Sequence, residues 1–175
     1  LASGALTTIH ATDSSEVNSW IGPATGNLSG GSPAVVNASD AVTVSSLLDG
    51  SVDSEAKSLS ISLVADVGII DTHGKNDAKV RSYLGNAAQV TVTGAHDASF
   101  TASFRATVLT QAEGIAGSLG FGSQGLSVVS DLLPTVGAFS EGGGSVSARN
   151  ISFTANVNDN LPDNAHDADG QANCE

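Results

Sequence analysis

Between residues 57 and 71 the chain alternates with a period of two. Leu59, Ile61, Leu63, Ala65, Val67 and Ile69 fall on one parity, and Ser58, Ser60, Ser62 and Asp66 on the other. A helix would scatter Leu59 and Ile61 over different faces, whereas a strand sets them on one side. The expectation is a long strand with its apolar parity buried. A second alternation places Phe100, Ala102, Phe104, Ala106 and Val108 opposite Ser99, Thr101, Ser103, Arg105 and Thr107, which predicts a second long strand.

Turn-forming residues punctuate these runs. His73-Gly74-Lys75-Asn76-Asp77 breaks the first alternation, and the return through Val80 to Leu84 reads as the second arm of a hairpin. Residues 22–40, rich in Gly, Pro, Ser and Asn, read as a surface loop. Val42 and Val44 form a short strand that Val90 and Val92 repeat, and a last strand turns Ile151, Phe153, Ala155 and Val157 inward. The glycine-rich run 111–125 fits an extended small-residue strand or a loop.

Val80-Arg81-Ser82-Tyr83-Leu84-Gly85 is echoed by Val17-Asn18-Ser19-Trp20-Ile21-Gly22 and more loosely by Val136-Gly137-Ala138-Phe139-Ser140. Trp20, Tyr83 and Phe139 thereby recur at intervals of 63 and 56 residues, each before a glycine-bearing loop and a new β-like run. They are read as repeat-core aromatics of a β-repeat domain over 1–158, divided into a partial unit 1–40 that lacks its beginning, a unit 41–87 and a unit 88–158. The fold class expected is all-β, with stacked repeat units in a solenoid-like arrangement; the alternative is a two-sheet antiparallel β-sandwich.

Composition supports a thin β core. Aromatics are 4% and methionine is absent, so the interior is built from Ala, Val, Leu and Ile. Charged residues are only 14% of the 175, and Ser, Thr, Asn and Gly supply the polar surface instead. With 6 basic residues against 18 acidic ones, the net charge of −12 repels nucleic acid and anionic membranes. It favours cations or neutral polymers such as glycans as partners. No apolar run reaches the ~20 residues of a membrane-spanning helix, and the single cysteine, Cys174, has no partner for an internal disulfide.

The sequence V-T-V-T-G-A-x-D, a small-residue hairpin and a V-x-S-aromatic-Leu/Ile-G ending resemble the repeats of very large bacterial surface proteins and filamentous adhesins. That resemblance spans most of residues 6–157 and implies an extracellular or cell-surface β-solenoid rod. Trp20 and Phe139 replace the tyrosine of those repeats, and Ser140 stands where their pattern has Ile or Leu before Gly.

The tail from 159 onward carries five acids in 17 residues and no Lys or Arg. Carboxylates spaced by two and followed by Gly suit calcium, which takes several oxygen ligands around a tight turn. Asp159, Asp163, Asp167 and Asp169 are the candidate ligands, and calcium is the only cofactor indicated. Asp-Asn-Leu-Pro followed by Asp-x-Asp-Gly resembles a thrombospondin type 3 calcium repeat, with Leu161 in place of its first cysteine.

Other constellations are weaker. Asp71, His73 and Asp77 share one turn, which fits a polar tip as well as a metal. Asp49, Asp53 and Glu55 read as a solvated acidic loop, and His10, His96 and His166 are scattered with no Gly-x-Ser-x-Gly elbow beside them. No catalysis is therefore expected. The function expected is a structural subunit or segment of an extracellular filament or adhesin stalk, self-associating head to tail through β-edges. The alternative is a glycan- or surface-binding β module that uses the Ser/Thr-rich faces of 57–71 and 99–107.

Overall fold

The computed structural model describes residues 2–23, 33–158 and 168–174, with side chains described for residues 4–23 and 33–158. Among the described residues strand follows strand: β1 (Ala2–Asp13), β2 (Glu16–Ile21), β3 (Val35–Ala38), β4 (Val42–Ser62), β5 (Ala65–Asn76), β6 (Lys79–Leu84) and β7 (Gln89–Val92). They continue with β8 (Ala98–Ser118), β9 (Phe121–Leu132), β10 (Thr135–Ser140), β11 (Ser145–Ser147), β12 (Ile151–Val157) and β13 (Ala168–Cys174).

Each strand lies beside its counterpart one turn of the chain away, and all the pairs are parallel. The sheets run β1-β5-β9, β2-β6-β10 and β3-β7-β11, with β8 flanked by β4 on one side and by β12 and β13 on the other. Pairing of Val42 with Ala98, Ala65 with Phe121, Lys79 with Thr135 and Gln89 with Ser145 sets one constant offset of 56 residues. Between the first coil and the second the offset is 63 for β1 and β2 (Ala2 to Ala65, Glu16 to Lys79). The chain therefore winds as a parallel β-solenoid whose coils each comprise one long wall and three shorter segments facing it.

The parallel arrangement overturns the hairpin expected across 73–84. Lys79–Leu84 turns a corner out of β5 and pairs with β2 and β10, one coil away on either side. The corners stack as well, because Lys79 N donates to Ser15 O (2.8 Å) and Thr135 N to Ala78 O (2.9 Å). Within the run read as a loop, Val35–Ala38 forms β3 and pairs with β7. Val42 and Val44 are equivalent to Ala98 and Phe100, so they open a long strand instead of matching Val90 and Val92.

The core lies between the long wall and the three facing segments. Phe100, with Ala98, packs on Leu84, Ala88 and Val90; Phe104 and Leu48 pack on Ala78 and Val80; Ala112 and Ala56 pack on Ile70. The second alternation points as expected, with Phe100, Phe104 and Val108 fully buried. In β12 the register aligns Ile151, Phe153 and Val157 with the buried parity of β8. They nevertheless stay 39–53% exposed because no described strand covers that end of the stack.

The first alternation is inverted. Leu59, Ile61, Leu63, Val67 and Ile69 are 45–72% exposed, whereas Ser60, Asp66 and Ile70 are buried. The reason lies in the register: β4 pairs with β8 without interruption from Val42↔Ala98 to Ser62↔Ser118. A continuous strand cannot change faces without a bulge, so the inward demand of Phe100, Phe104 and Val108 dictates the parity of β4 to its end. Small groups fill this narrow part of the interior. A Cβ built on Gly68 or Gly114 would stand 2.4 Å and 2.5 Å from the side-chain amide of Gln124.

Candidate functional site

The strongest constellation is a column of rings on the outer side of the β2-β6-β10 sheet. Parallel pairing aligns Trp20 with Tyr83 and Tyr83 with Phe139. Their rings stack at 6.0 Å and 5.2 Å, with interplanar angles of 10° and 3°. Tyr83, in the middle, is buried, whereas Trp20 at the end of the column is 45% exposed. The sequence-singled aromatics are thus neighbours in space.

Beside Trp20 the first coil opens into a groove of about 470 Å³ lined by Asn18, Ser19, Thr43, Val44 and Ser45. It separates β2 from β4 at the end of the solenoid that β1, β2, β3 and β4 form. Ser19 Oγ donates to Ser45 O (2.7 Å) across it, Asn18 Nδ2 donates to Glu16 Oε1 (2.9 Å), and Asn18 Oδ1 is buried without a partner. The Asn18 hydrogen bond, helped by Arg81 and Lys79, holds the Glu16 carboxyl below its ordinary range. Strand edges on this side, and those of β9, β10 and β12 on the other, have no described neighbour. Chemically this is a surface for extending sheets and stacking a further ring.

The other candidates are placed as follows. Asp159, Asp163 and Asp167 lie outside the described residues, while Asp169 sits in β13 with its backbone paired to Leu109. The turn trio does not converge: His73 Nε2 contacts Asp131 Oδ2 (2.9 Å) and stands edge-on to His10 (5.5 Å), while Asp77 is taken by Lys75 Nζ (2.6 Å) and Ser14 Oγ. Among the described residues no group of three or more His, Cys, Asp or Glu could hold a metal ion. Asp49, Asp53 and Glu55 point outward along β4, within a strand and not a loop, and Lys57 Nζ meets Glu55 (2.9 Å) and Glu113 (3.4 Å).

Of the two hydroxyl faces expected to meet a glycan, Ser60 of 57–71 is buried, whereas Ser99 lies on the outer side. Ser99 Oγ donates to Thr43 Oγ1 at 3.2 Å, one coil away, and register adds Ser152 to that row. Sequence reasoning did not pick out this three-coil row, since it needs the offset of 56 to align Thr43 with Ser99.

Fold and site together define a parallel β-solenoid with strand edges open among the described residues and an aromatic column on its outer side, parallel to the axis. No protein family, curated protein or solved structure matches this chain. No helix among the described residues is long and apolar enough to cross a membrane.

Proposed function

We propose that the chain is a structural segment of an extracellular filament or adhesin stalk whose coils add end to end. The observation that carries this reading is the half-exposed Trp20 at the end of the ring column, beside the open groove. A further parallel coil would set a ring on Trp20 as Tyr83 sets one on Phe139, and would fill the groove with side chains. It would also satisfy the free edges of β2 and β4, which invite strand addition. Phe139, at the opposite end of the column, is the natural partner from a second copy, making the contact heterologous and the assembly open-ended. Calcium uptake by Asp159, Asp163, Asp167 and Asp169 belongs to this proposal on the strength of the sequence pattern.

Negative-stain images at increasing protein concentration test the reading, with Trp20 emission as a second readout. Thin rods that lengthen with concentration, a shift in emission, and shortening in Trp20→Ala are expected. Single discs at all concentrations, with unchanged emission, would remove the proposal. A glycan-binding role is favoured by one observation, the outward row Thr43–Ser99–Ser152, and retention on a glycan array lost in Ser99→Val would mark it.

A further inference from the structure

One narrow margin of the solenoid, where β4 turns into β5 and β8 into β9, is apolar outside and polar inside. On the long wall Leu59 and Ile61 are 66% and 72% exposed. At the turn Leu63 and Leu119 are 70% and 88% exposed, and beyond it Phe121 and Leu6 are 65% and 72% exposed. Beneath them lie Ser60, Asp66 and the Gln124 amide between Gly68 and Gly114. Register aligns Leu59 with Ile115 on the long wall, and Ala65 with Phe121 and Leu6 with Ile69 on the facing sheet, and the two rows meet at the turns that carry Leu63 and Leu119.

We infer that this margin is the contact surface for a second copy of the chain, margin to margin and side by side. With six large apolar side chains 65–88% exposed, the margin presents on the order of 1,000 Å² of apolar surface. That is above the few hundred Å² tolerated on a monomer and of the same order as the ~800 Å² that each partner gives to a stable interface. Charge selects the occupant. Residues 58–70 contain one charged side chain, the buried Asp66, and residues 114–130 contain none. In a chain of net charge −12 this is the side on which two copies approach without repulsion. A bilayer is the poorer fit, because membrane-surface segments carry Lys or Arg with Trp or Tyr at their edges, and neither stretch has any of these.

The contact is distinct from end-to-end stacking. Addition at Trp20 would lengthen a rod, whereas pairing at the margin joins two rods along their length. Because the same strip serves both partners, the contact is isologous and closes at two.

Sedimentation velocity of the 175-residue chain, alongside Ile61→Glu with Leu119→Glu and, separately, Trp20→Ala, tests the inference. In Trp20→Ala, where end-to-end growth is blocked, a concentration-dependent dimer is expected, and in the unmodified chain larger assemblies; the paired glutamates raise the dissociation constant of the dimer about tenfold or more. Both substituted side chains point into solvent, and an unchanged β circular dichroism spectrum would verify the fold. In the unmodified chain, hydroxyl-radical footprinting should show Leu63, Leu119 and Phe121 becoming protected as concentration rises. The inference is overturned if those residues stay equally reactive, if the glutamates leave association unaltered, or if Trp20→Ala abolishes the dimer. It is also overturned if the chain is monomeric and its margin binds phosphatidylcholine vesicles.

Discussion

The ring of Phe139 lies 5.2 Å from that of Tyr83 and within 3° of parallel to it. Their backbones pair in register, so the two rings are held one strand spacing apart, near the ~4.8 Å that separates neighbouring strands. In a solenoid each coil is stabilised chiefly by its neighbours, and a ring in mid-column contributes to two such interfaces at once.

Tyr83→Ala removes both stacking contacts of a buried ring. The expected cost is about 3 kcal/mol or more, the range for a large core side chain cut to alanine. Urea unfolding followed by circular dichroism measures it. Trp20→Ala, at the exposed end of the column, should cost clearly less, and equal losses would count against the ladder.

The inverted parity of β4 and β5 makes an unusual pair of expectations. Leu59→Ser leaves the stability of the monomer, measured at low concentration, within about 0.5 kcal/mol, as for other surface positions, because Leu59 is 66% exposed. Ile70→Ala costs about 2–5 kcal/mol, since Ile70 is fully buried against Ala56 and Ala112. Denaturant midpoints that rank the two in the opposite order would refute the register of β4 on β8.

Gly120 sits where one coil's corner packs tightly on the next. A Cβ there would stand 2.3 Å from the backbone oxygen of Val64, the acceptor for Phe121 N at 3.0 Å. Gly120→Ala therefore forces backbone movement, with about 1–3 kcal/mol of destabilisation. Gly50→Ala, with nothing within 4 Å of the new methyl group, should be neutral or slightly stabilising. Thermal melting of the two variants provides the contrast.

Acid sensitivity should trace in part to the corner before β8. Arg149 Nε and Nη2 donate to Asp97 at 2.9 Å and 3.0 Å, and Asn150 Nδ2 adds a third bond at 3.0 Å. These donors, Arg149 foremost, hold the Asp97 carboxyl below its ordinary value, and Lys75 with Ser14 does the same for Asp77. Both carboxyls titrate lower folded than unfolded. Their contribution is thus present above the unfolded value near pH 4 and is lost as pH falls through the folded one. Because both sites are partly open to solvent, the effect is small. Asp97→Asn should flatten the fall in urea midpoint between about pH 5 and pH 2; an unchanged slope would exclude a role for this pair.

Legibility in the sequence followed the range of the interactions. The period of two and the recurrence of Trp20, Tyr83 and Phe139 are carried by adjacent residues or by spacing along the chain. The 63- and 56-residue intervals are in fact the register offsets of the coils. They were sufficient for an all-β chain of stacked repeats. The groove beside Trp20 and the row Thr43–Ser99–Ser152 were not legible, because each joins residues brought together only by a coil's closure.

What the sequence determined by itself is therefore strand propensity and repetition. Only the tertiary structure decided which face of each strand looks inward and that pairing is parallel. Leu59, Ile61 and Leu63 form as good a buried stripe in one dimension as Phe100, Phe104 and Val108. A strand in unbroken register with its neighbour must take that neighbour's parity, and the larger rings of β8 set it.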